Sequence, residues 1–320
     1  MAQLRPPIAV IGGGVIGLTS AARLLEAGFP VTVFARTLPP HTTSDIAAAF
    51  WSPSATADHV KARQWAMDSL ATFQSLAANP ACGILLTDLY SLADTPTDMA
   101  YMASGGAMCE VPPGVFPAPW SGWCAPAPRI DVPVYMPWLL EHVRNLGGEV
   151  QFHILESLHE VDPAYSIIVN CTGLGAQALT GDDMFPIRGQ VMSVRKPAGL
   201  SPAIIYANDA TTTTYIIPRS RDCLLGGTYQ YGNGNLAVDP TIAEEILARC
   251  AVFNPALAQP EILQHKVGLR PGRHFVRLEQ ETLSSGQTVI HNYGHGSVGH
   301  TLSWGCAAEV AKLAAVIASC

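Results

Sequence analysis

The sequence contains few charged residues and no basic cluster. Only 13% of its 320 residues are Asp, Glu, Lys or Arg, and the net charge at pH 7 is -7. A nucleic-acid ligand requires a basic surface against its phosphates, so this class of partner is disfavoured. The low charge, together with 48% hydrophobic residues, predicts a compact globular protein rather than a disordered chain.

Paired cysteines and long apolar runs are also missing. The 8 cysteines occur without a Cys-x-x-Cys pair, a pattern typical of reduced thiols rather than of a zinc site or disulfide framework. No apolar run reaches the length of a transmembrane helix. The N-terminus shows no signal peptide, and the final Ala-Ser-Cys differs from a Ser-Lys-Leu peroxisomal signal. A cytoplasmic protein is therefore expected. The length of 320 residues, more than one hydrophobic core usually supports, predicts two domains.

A glycine-rich turn lies between two apolar strands near the start of the chain. Residues 8–11 and 31–34 predict strands, and residues 18–27 predict the helix that joins them. The G-x-G-x-x-G pattern between the first strand and the helix lets the backbone approach a pyrophosphate at a helix N-terminus. Its glycines are Gly12, Gly14 and Gly17. The pattern predicts a dinucleotide site, with a purely structural turn as the alternative.

No acidic residue follows the second predicted strand, where NAD-binding proteins place one for the ribose. Ala35 and Arg36 occupy this point. An arginine there can bind the 2′-phosphate of NADPH, so an NADPH-dependent reductase is an alternative. A solvated surface arginine is the second alternative, and the position alone does not decide between them.

The remainder of the chain alternates between two kinds of sheet. Residues 166–175 predict a buried strand that enters a glycine turn, as in a later strand of a dinucleotide-binding sheet. Residues 186–194 and 214–232 have the β-branched, aromatic and turn residues of an antiparallel sheet. Residues 51–139, rich in tryptophan and proline, predict loops and short strands rather than a second helical layer. The fold class is α/β, with interleaved rather than consecutive domains.

Three histidines and several glycines crowd the segment HNYGHGSVGHTLSWG, residues 291–305. His291, His295 and His300 suggest a metal site, but a helix that presents them is disfavoured because each intervening glycine costs about 1 kcal/mol. A loop whose bare backbone approaches a flat or charged ligand is the preferred interpretation. The sequence therefore predicts no metal site.

In this order, the motifs resemble the D-amino-acid oxidase family of flavoenzymes, which includes D-aspartate oxidases. They are IGGGVIGL, TTSDIAAAFW, NCTGLGA, RGQ, YIIPR, GGTYQ, VGLRPGR and HNYGHGSVGHTLSWGCA. The resemblance implies FAD-dependent oxidative deamination of D-amino acids to 2-oxo acids, ammonia and hydrogen peroxide, by hydride transfer to the flavin. A non-catalytic flavoprotein that retains the fold is a further alternative.

The alternation of the two sheets, together with the resemblance, predicts a discontinuous division of the chain. A discontinuous Rossmann-type FAD-binding domain would comprise residues 1–50, 140–185 and 268–320. An antiparallel-sheet substrate domain would comprise residues 51–139 and 186–267. The expected partners are a D-amino acid and dioxygen, without nucleic acid or membrane, and a homodimer is left open.

Apart from Arg36, the cofactor-binding residues implied by the resemblance lie in five of these motifs. They are Gly12, Gly14, Val15, Ile16, Gly17, Arg36, Thr42, Thr43, Ser44, Ala48, Ala49, Phe50, Thr172, Gly173, Arg270, Gly296, Ser297, Gly299 and Thr301. Small residues let a cofactor lie against the backbone, and hydroxyls can bond phosphate oxygens. Helix capping is the alternative role of Thr43, Ser44 and Asp45.

The substrate residues are also carried over from the resemblance. Arg270 and Tyr215 would bind the substrate carboxylate, Tyr229 would be an active-site tyrosine, and the Ser297 carbonyl would hold the amine. A guanidinium fork matches a carboxylate, and a phenol adds a donor. An ion-paired arginine and tyrosines that only pack a sheet are the alternatives.

The wall around the substrate side chain is less specified. Phe50, Trp51, Tyr206 and Tyr229 are candidates for an apolar wall that favours neutral side chains. A D-aspartate or D-glutamate oxidase would need a cation there, for which Arg219 and His41 are the candidates. Tyr206 stands nine residues before Tyr215, whereas mammalian members of the resembled family place a second, mobile tyrosine four residues before the matching tyrosine; this departs from the family's gating lid.

Overall fold

A computed structural model describes residues 5–52, 60–94, 108–209 and 212–319. Residues 210 and 211, in the segment before Tyr215, and Cys320, in the C-terminal tripeptide, lie outside these ranges. The helices in the described ranges are α1 (Val15–Glu26), α2 (Val60–Leu76), α3 (Val132–Asn145), α4 (Ala176–Thr180), α5 (Pro240–Phe253) and α6 (Gly299–Ile317). None of the described helices is both long and apolar enough to cross a membrane.

The first sheet has six strands within the described ranges. In chain order they are β1 (Ile8–Ile11), β2 (Val31–Ala35), β6 (Glu149–Phe152), β7 (Ile167–Asn170), β14 (Arg277–Thr282) and β15 (Thr288–Tyr293). Their spatial order is β14-β15-β7-β1-β2-β6, and every neighbouring pair is parallel except β14 with β15. All residues of β1 and β7 are buried, as expected for central strands covered on both faces.

The second sheet contains nine strands within the described ranges. In chain order they are β3 (Ile84–Ala93), β4 (Cys109–Glu110), β5 (Ser121–Ile130), β8 (Phe185–Val194), β9 (Ile204–Asn208), β10 (Thr213–Pro218), β11 (Cys223–Gly226), β12 (Gln230–Tyr231) and β13 (Ile262–Gly272). Their order is β12-β8-β11-β10-β9-β3-β5-β4, with β13 paired to β8. The pairs are antiparallel except β3 with β9.

The strand, turn, helix and strand predicted at the N-terminus are confirmed. The helix begins at Val15, three residues earlier than its apolar periodicity suggests, because the glycine turn forms its first cap. The α/β class, with one mainly parallel and one mainly antiparallel sheet, is confirmed as well. The chain visits the sheets alternately, as the interleaved pattern predicts.

The prediction of loops and short strands rather than helices is wrong for the described part of residues 51–139; residues 53–59 and 95–107 of this range lie outside the described residues. Helix α2 occupies Val60–Leu76 and buries Trp65, Leu70 and Phe73 in the same core as α6. Close packing of the two helices requires Gly305, because a Cβ there would overlap the Trp65 backbone. The proline-rich part contains the ten-residue strand β5. Strand β4 pairs only with Trp123 and Cys124 of β5, so pairing with β4 requires no donor from Pro126 or Pro128.

Helices α2 and α3 pack with α1 and α6 against the first sheet, although most of both lies in residues 51–139. The second sheet has its own core, in which Met192, Ile216 and Leu225 meet Ile246 of α5. The domain boundaries stated above stay a prediction.

Candidate active site

A cavity of about 1640 Å³ lies between the two sheets. Residues that follow the carboxyl ends of β1, β2 and β7 line one side. Ligands of open α/β sheets bind in the crevice at these strand ends. Tyr215 of β10 and Arg270 of β13 border the same cavity from the second sheet. The two sheets thus present a nucleotide-type turn and a cationic site to one space.

The structure brings the predicted cofactor residues together, with one difference. Each of them lines the cavity except Gly17. A Cβ at Gly17 would overlap the Gly12 carbonyl oxygen, so this glycine holds α1 against the turn from behind. Gly17 therefore shapes the cavity without bordering it.

The first glycine turn depends on close backbone contacts. Gly12 has a φ of +127°, and a Cβ there would lie 2.5 Å from the Cys171 carbonyl oxygen of the neighbouring turn. Gly14 is the N-cap of α1, and the Val15 amide donates to Ser44 Oγ at 2.9 Å. The N-terminus of α1, which favours negative charge, therefore faces the cavity.

The segment of Thr42, Thr43 and Ser44 combines both roles considered for it. The Thr42 amide donates to Asp45 Oδ2 at 2.8 Å, and the Asp45 amide donates to the Thr42 carbonyl at 3.1 Å. These bonds cap a 3₁₀ turn over Thr43–Ile46. The turn also presents Thr42, Thr43 and Ser44 to the cavity. Capping here positions the residues rather than competing with ligand binding.

The turn after β7 and the glycine loop near the C-terminus meet at Pro271. Asn170 Oδ1 accepts from Thr172 Oγ1 at 2.7 Å, and a Cβ at Gly173 would lie 3.6 Å from Pro271. The Gly296 amide donates to the Pro271 carbonyl at 2.9 Å. Gly296 has a φ of +53°, and no atom lies within 4 Å of a Cβ built on it. The loop thus leaves open space beside its backbone.

The three histidines do not share a helical face. His291 lies in β15, with Nε2 at 3.1 Å from Glu281 Oε2. His300 lies in α6, with Nε2 at 3.2 Å from the Ser44 carbonyl oxygen. His295 is buried in the loop between them. Burial lowers the pKa of His295 to about 3 and that of His300 to about 4, so both rings are neutral at physiological pH. The absence of a metal site stays a prediction.

The lowered pKa values of His295 and His300 predict that the folded protein loses stability at acidic pH. Above pH 6.5 the ring is neutral in both the folded and the unfolded chain; below it the unfolded chain binds protons that the folded chain binds only near pH 4 and 3. We expect the free energy of unfolding to fall by up to about 1.4 kcal/mol per pH unit for each ring. Urea unfolding of the wild type and His295→Leu between pH 6.5 and 5 measures this. If the free energy of unfolding depended on pH to the same degree in the two proteins, the lowered pKa of His295 would be contradicted.

Arg270 reaches the cavity through a gap in the second sheet. Its Nη1 donates to the Thr228 carbonyl at 2.9 Å, and its guanidinium carbon lies 4.3 Å from the centroid of the Tyr229 ring. The gap is made by Gly189, since a Cβ there would lie 2.5 Å from Nη1. One carbonyl bond leaves most of the guanidinium donors for a ligand.

Tyr215 is fixed by the glycine pair that ends β11. Its ring lies flat on Gly226 and Gly227, where any Cβ would overlap the ring or the hydroxyl. Burial raises the pKa of Tyr215 above its ordinary value, although the neighbouring Arg270 acts in the opposite direction. The phenol therefore stays protonated at neutral pH and can donate a hydrogen bond into the cavity.

The other substrate candidates separate into two groups. Tyr229, Ser297, Phe50 and Tyr206 line the cavity, and the rings of Phe50 and Tyr206 are in edge contact at 5.3 Å. Trp51 does not belong to the wall, because it is only 3% exposed and its Nε1 donates to the Ala66 carbonyl in the helical core.

Neither cation proposed for an acidic side chain is placed for that role. Arg219 is buried against Asp222, with Nη2 at 2.6 Å from Oδ2, and does not line the cavity. His41 lines the cavity but follows the strand end that carries Arg36. Arg249 of α5, which the sequence interpretation missed, does line it. In the sequence, Arg249 is marked only by its position four residues after Glu245, the spacing of an ion pair on a helix.

Comparison with known proteins identifies the family of this chain. Residues 7–313 match the family described as FAD dependent oxidoreductase. The chain belongs to this family. FAD, rather than NADPH, is therefore the cofactor of this protein. The absence of an acidic residue after β2 gives no support to an NADPH-dependent reductase.

The relatives of this FAD-dependent oxidoreductase carry two substrate names. A D-amino-acid oxidase of Rubrobacter xylanophilus is 41% identical over 313 residues, covering 95% of this chain and 94% of the relative. A D-aspartate oxidase of Homo sapiens is 36% identical over 324 residues, covering 96% of this chain and 94% of the relative. Glycine oxidase from Geobacillus kaustophilus shares the fold, with a TM-score of 0.82 at 20% identity and coverage of 98% and 95%.

The residues in the cavity fit FAD. The N-termini of α1 and α6 and the turn after β7 open onto one continuous space. The pyrophosphate would be held by the backbone near Gly14 and Val15, with the hydroxyls of Thr43 and Ser44 nearby. The glycine loop at Gly296 leaves room beside its backbone for a flat ring. The predicted FAD contacts of individual residues stay predictions.

Proposed function

We propose that this protein oxidises D-amino acids with dioxygen, giving 2-oxo acids, ammonia and hydrogen peroxide. The observation that carries the proposal is the convergence of Arg270 and Tyr215 on the cavity that the FAD-binding turns line. The relatives named D-amino-acid oxidase, which cover nearly the whole chain, support it. A non-catalytic flavoprotein would have no need of a cation in the cavity for which Gly189 makes room.

Arg270 and Tyr215 would hold the substrate carboxylate. The guanidinium offers donors in a planar fork, which fits the two carboxylate oxygens. The Tyr215 hydroxyl supplies a further donor, since its pKa is raised and the phenol is protonated. Tyr229 lies against the guanidinium and limits its movement. Two elements of one sheet thus fix one end of the substrate.

The Ser297 carbonyl would hold the substrate amine. Its loop is tied to the carboxylate site, because the Gly296 amide donates to the carbonyl of Pro271, directly after Arg270. Carboxylate and amine are thereby held at a fixed separation, which leaves one direction for the Cα hydrogen. An L-amino acid with the same two anchors would direct this hydrogen away from the cofactor.

The chemistry that FAD supplies when bound is acceptance of hydride from the substrate Cα, followed by reduction of dioxygen to hydrogen peroxide. The protein contributes orientation, an effect that can reach about 7 to 11 kcal/mol for aligned reactants. No side chain is required as a base, because the substrate amine enters in its neutral form. The imino acid product then hydrolyses in water to the 2-oxo acid and ammonia.

The domain division, the cytoplasmic location and the homodimer stay predictions from the sequence. The preference for neutral side chains is also a prediction from the sequence, and the relatives are named D-amino-acid oxidase and D-aspartate oxidase.

A peroxide assay on a panel of D- and L-amino acids tests the function. We expect hydrogen peroxide with D-amino acids only, and one equivalent of 2-oxo acid per peroxide. NADPH added without an amino acid should not be consumed. A flavin-loaded protein that oxidises none of the D-amino acids would overturn the proposal.

A further inference from the structure

Arg249 is a second cation at the cavity, and its donors are incompletely used. It lies on α5, whose buried face packs on β10 and β11 through Ile246 and Cys250. Its Nη2 donates to the Gly227 carbonyl at 3.2 Å. Its Nε is buried and has no hydrogen-bond partner among the described residues. Buried donors of a cation normally have partners, so a ligand in the cavity is a candidate acceptor.

Arg249 and Arg270 donate hydrogen bonds to the carbonyls of two consecutive residues. Arg249 donates to the carbonyl of Gly227, and Arg270 donates to the carbonyl of Thr228. The Tyr215 hydroxyl packs against Gly227 as well. The proposed carboxylate site and the Arg249 guanidinium therefore border one short stretch of backbone. A ligand with two carboxylates is the kind of ligand that would engage both cations.

The charge of Arg249 is weakly compensated. Glu245 is its ion-pair partner, but its Oε2 lies 3.9 Å from Nη1 and its side chain is 59% exposed. An ion pair of this length at the surface contributes little. The Arg249 side chain itself is only 20% exposed. Arg219, in contrast, is held by Asp222 outside the cavity.

We propose that Arg249 binds the side-chain carboxylate of an acidic D-amino acid, making D-aspartate and D-glutamate good substrates. This inference rests on the proposed D-amino-acid oxidation and assigns its side-chain specificity. The α-carboxylate occupies Arg270 and Tyr215, and the second carboxylate accepts from the donors of Arg249. The apolar residues Phe50 and Tyr206 then form only part of the wall, and the preference departs from the neutral one expected from the sequence.

Matched substrate pairs isolate the charge. D-Asparagine has nearly the shape of D-aspartate but no side-chain charge, and D-glutamine corresponds to D-glutamate. The measurement is the ratio of kcat/KM for D-aspartate to that for D-asparagine, on holoenzyme. We expect the wild type to favour the acid, and Arg249→Met to lower the ratio about ten- to a hundredfold. Any loss through altered packing of α5 affects both substrates and cancels in the ratio.

Two further variants test charge against packing. Arg249→Lys retains a cation and should keep part of the preference for the acid. Arg195→Met removes the same charge at an exposed arginine that pairs with Glu261 outside the cavity, and should leave the ratio unchanged. A purely structural Arg249 would leave the ratio unchanged in every variant.

The outcomes separate this inference from the proposed function. Oxidation of D-asparagine and D-methionine, with an acid-to-amide ratio that Arg249→Met does not change, overturns the role of Arg249 and leaves the proposed function standing. No oxidation of any D-amino acid by the wild type overturns both. A ratio that falls in Arg249→Met and recovers in part in Arg249→Lys supports the inference.

Discussion

Replacing Arg270 by alanine is expected to reduce kcat/KM for every D-amino acid by at least about a hundredfold. A hydrogen bond to a charged group contributes about 1.5 to 3 kcal/mol, and a guanidinium fork makes two of them with a carboxylate. Each 1.36 kcal/mol is a factor of ten in rate. Because Gly189 and the Thr228 carbonyl hold the guanidinium in advance, little of this energy is spent on ordering it.

Tyr215→Phe is the companion to Arg270→Ala and removes a single uncharged donor from the same carboxylate site. It removes one donor but keeps the ring on Gly226 and Gly227, so the sheet is not disturbed. The expected loss is about ten- to a hundredfold, smaller than that of Arg270→Ala because no charge is removed. The order of the two losses tests whether charge or hydrogen bonding dominates carboxylate binding.

Steady-state oxidation of D-alanine, D-methionine and D-aspartate by both variants measures these losses. Flavin absorbance is recorded for each variant, so that loss of FAD is not mistaken for loss of carboxylate binding. Arg195→Ala, at an exposed arginine outside the cavity, serves as the control. If Arg270→Ala oxidises each substrate as well as the wild type does, the carboxylate binds elsewhere.

The parts of the site that depend on local sequence could be predicted. The turn at Gly12 and Gly14 follows from a strand, a helix and the conformational freedom of glycine within one short segment. The glycine loop at residues 294–299 could be predicted in the same way, because glycines at this density prevent a helix. Resemblance then assigned Arg270 and Tyr215, for which the local pattern offers only a strand.

The parts that depend on distant contacts could not be predicted. Trp51 follows Phe50 in the sequence, yet its ring turns into the helical core that α2 completes, and α2 itself was not expected. Gly189 is conspicuous only when β13 pairs with β8 and brings Arg270 across it. Arg249 borders the cavity because α5 packs on β10 and β11, and its spacing of four residues from Glu245 does not indicate this contact.

Gly17→Ala is expected to lower FAD affinity by about a hundredfold, although Gly17 does not border the cavity. The added methyl group would overlap the Gly12 carbonyl oxygen, so α1 must move away from the turn. Overpacking of this kind costs about 1 to 3 kcal/mol, and a rigid backbone contact belongs at the upper end. The displacement also disturbs the Val15 amide, which donates to Ser44 Oγ at 2.9 Å, and with it the helix N-terminus that is proposed to hold the pyrophosphate.

The wild type should purify yellow and release FAD rather than FMN on denaturation, because the first turn is predicted to hold the pyrophosphate and adenine half. Gly17→Ala should purify nearly colourless and take up FAD only at raised concentration, followed by fluorescence quenching during titration. Gly234→Ala is the matched control, since Gly234 is exposed and a Cβ there meets no atom closer than 4.0 Å. Circular dichroism of both variants shows whether the fold is retained. A folded Gly17→Ala protein that binds FAD as tightly as the wild type would show that the approach of α1 to Gly12 does not determine cofactor affinity.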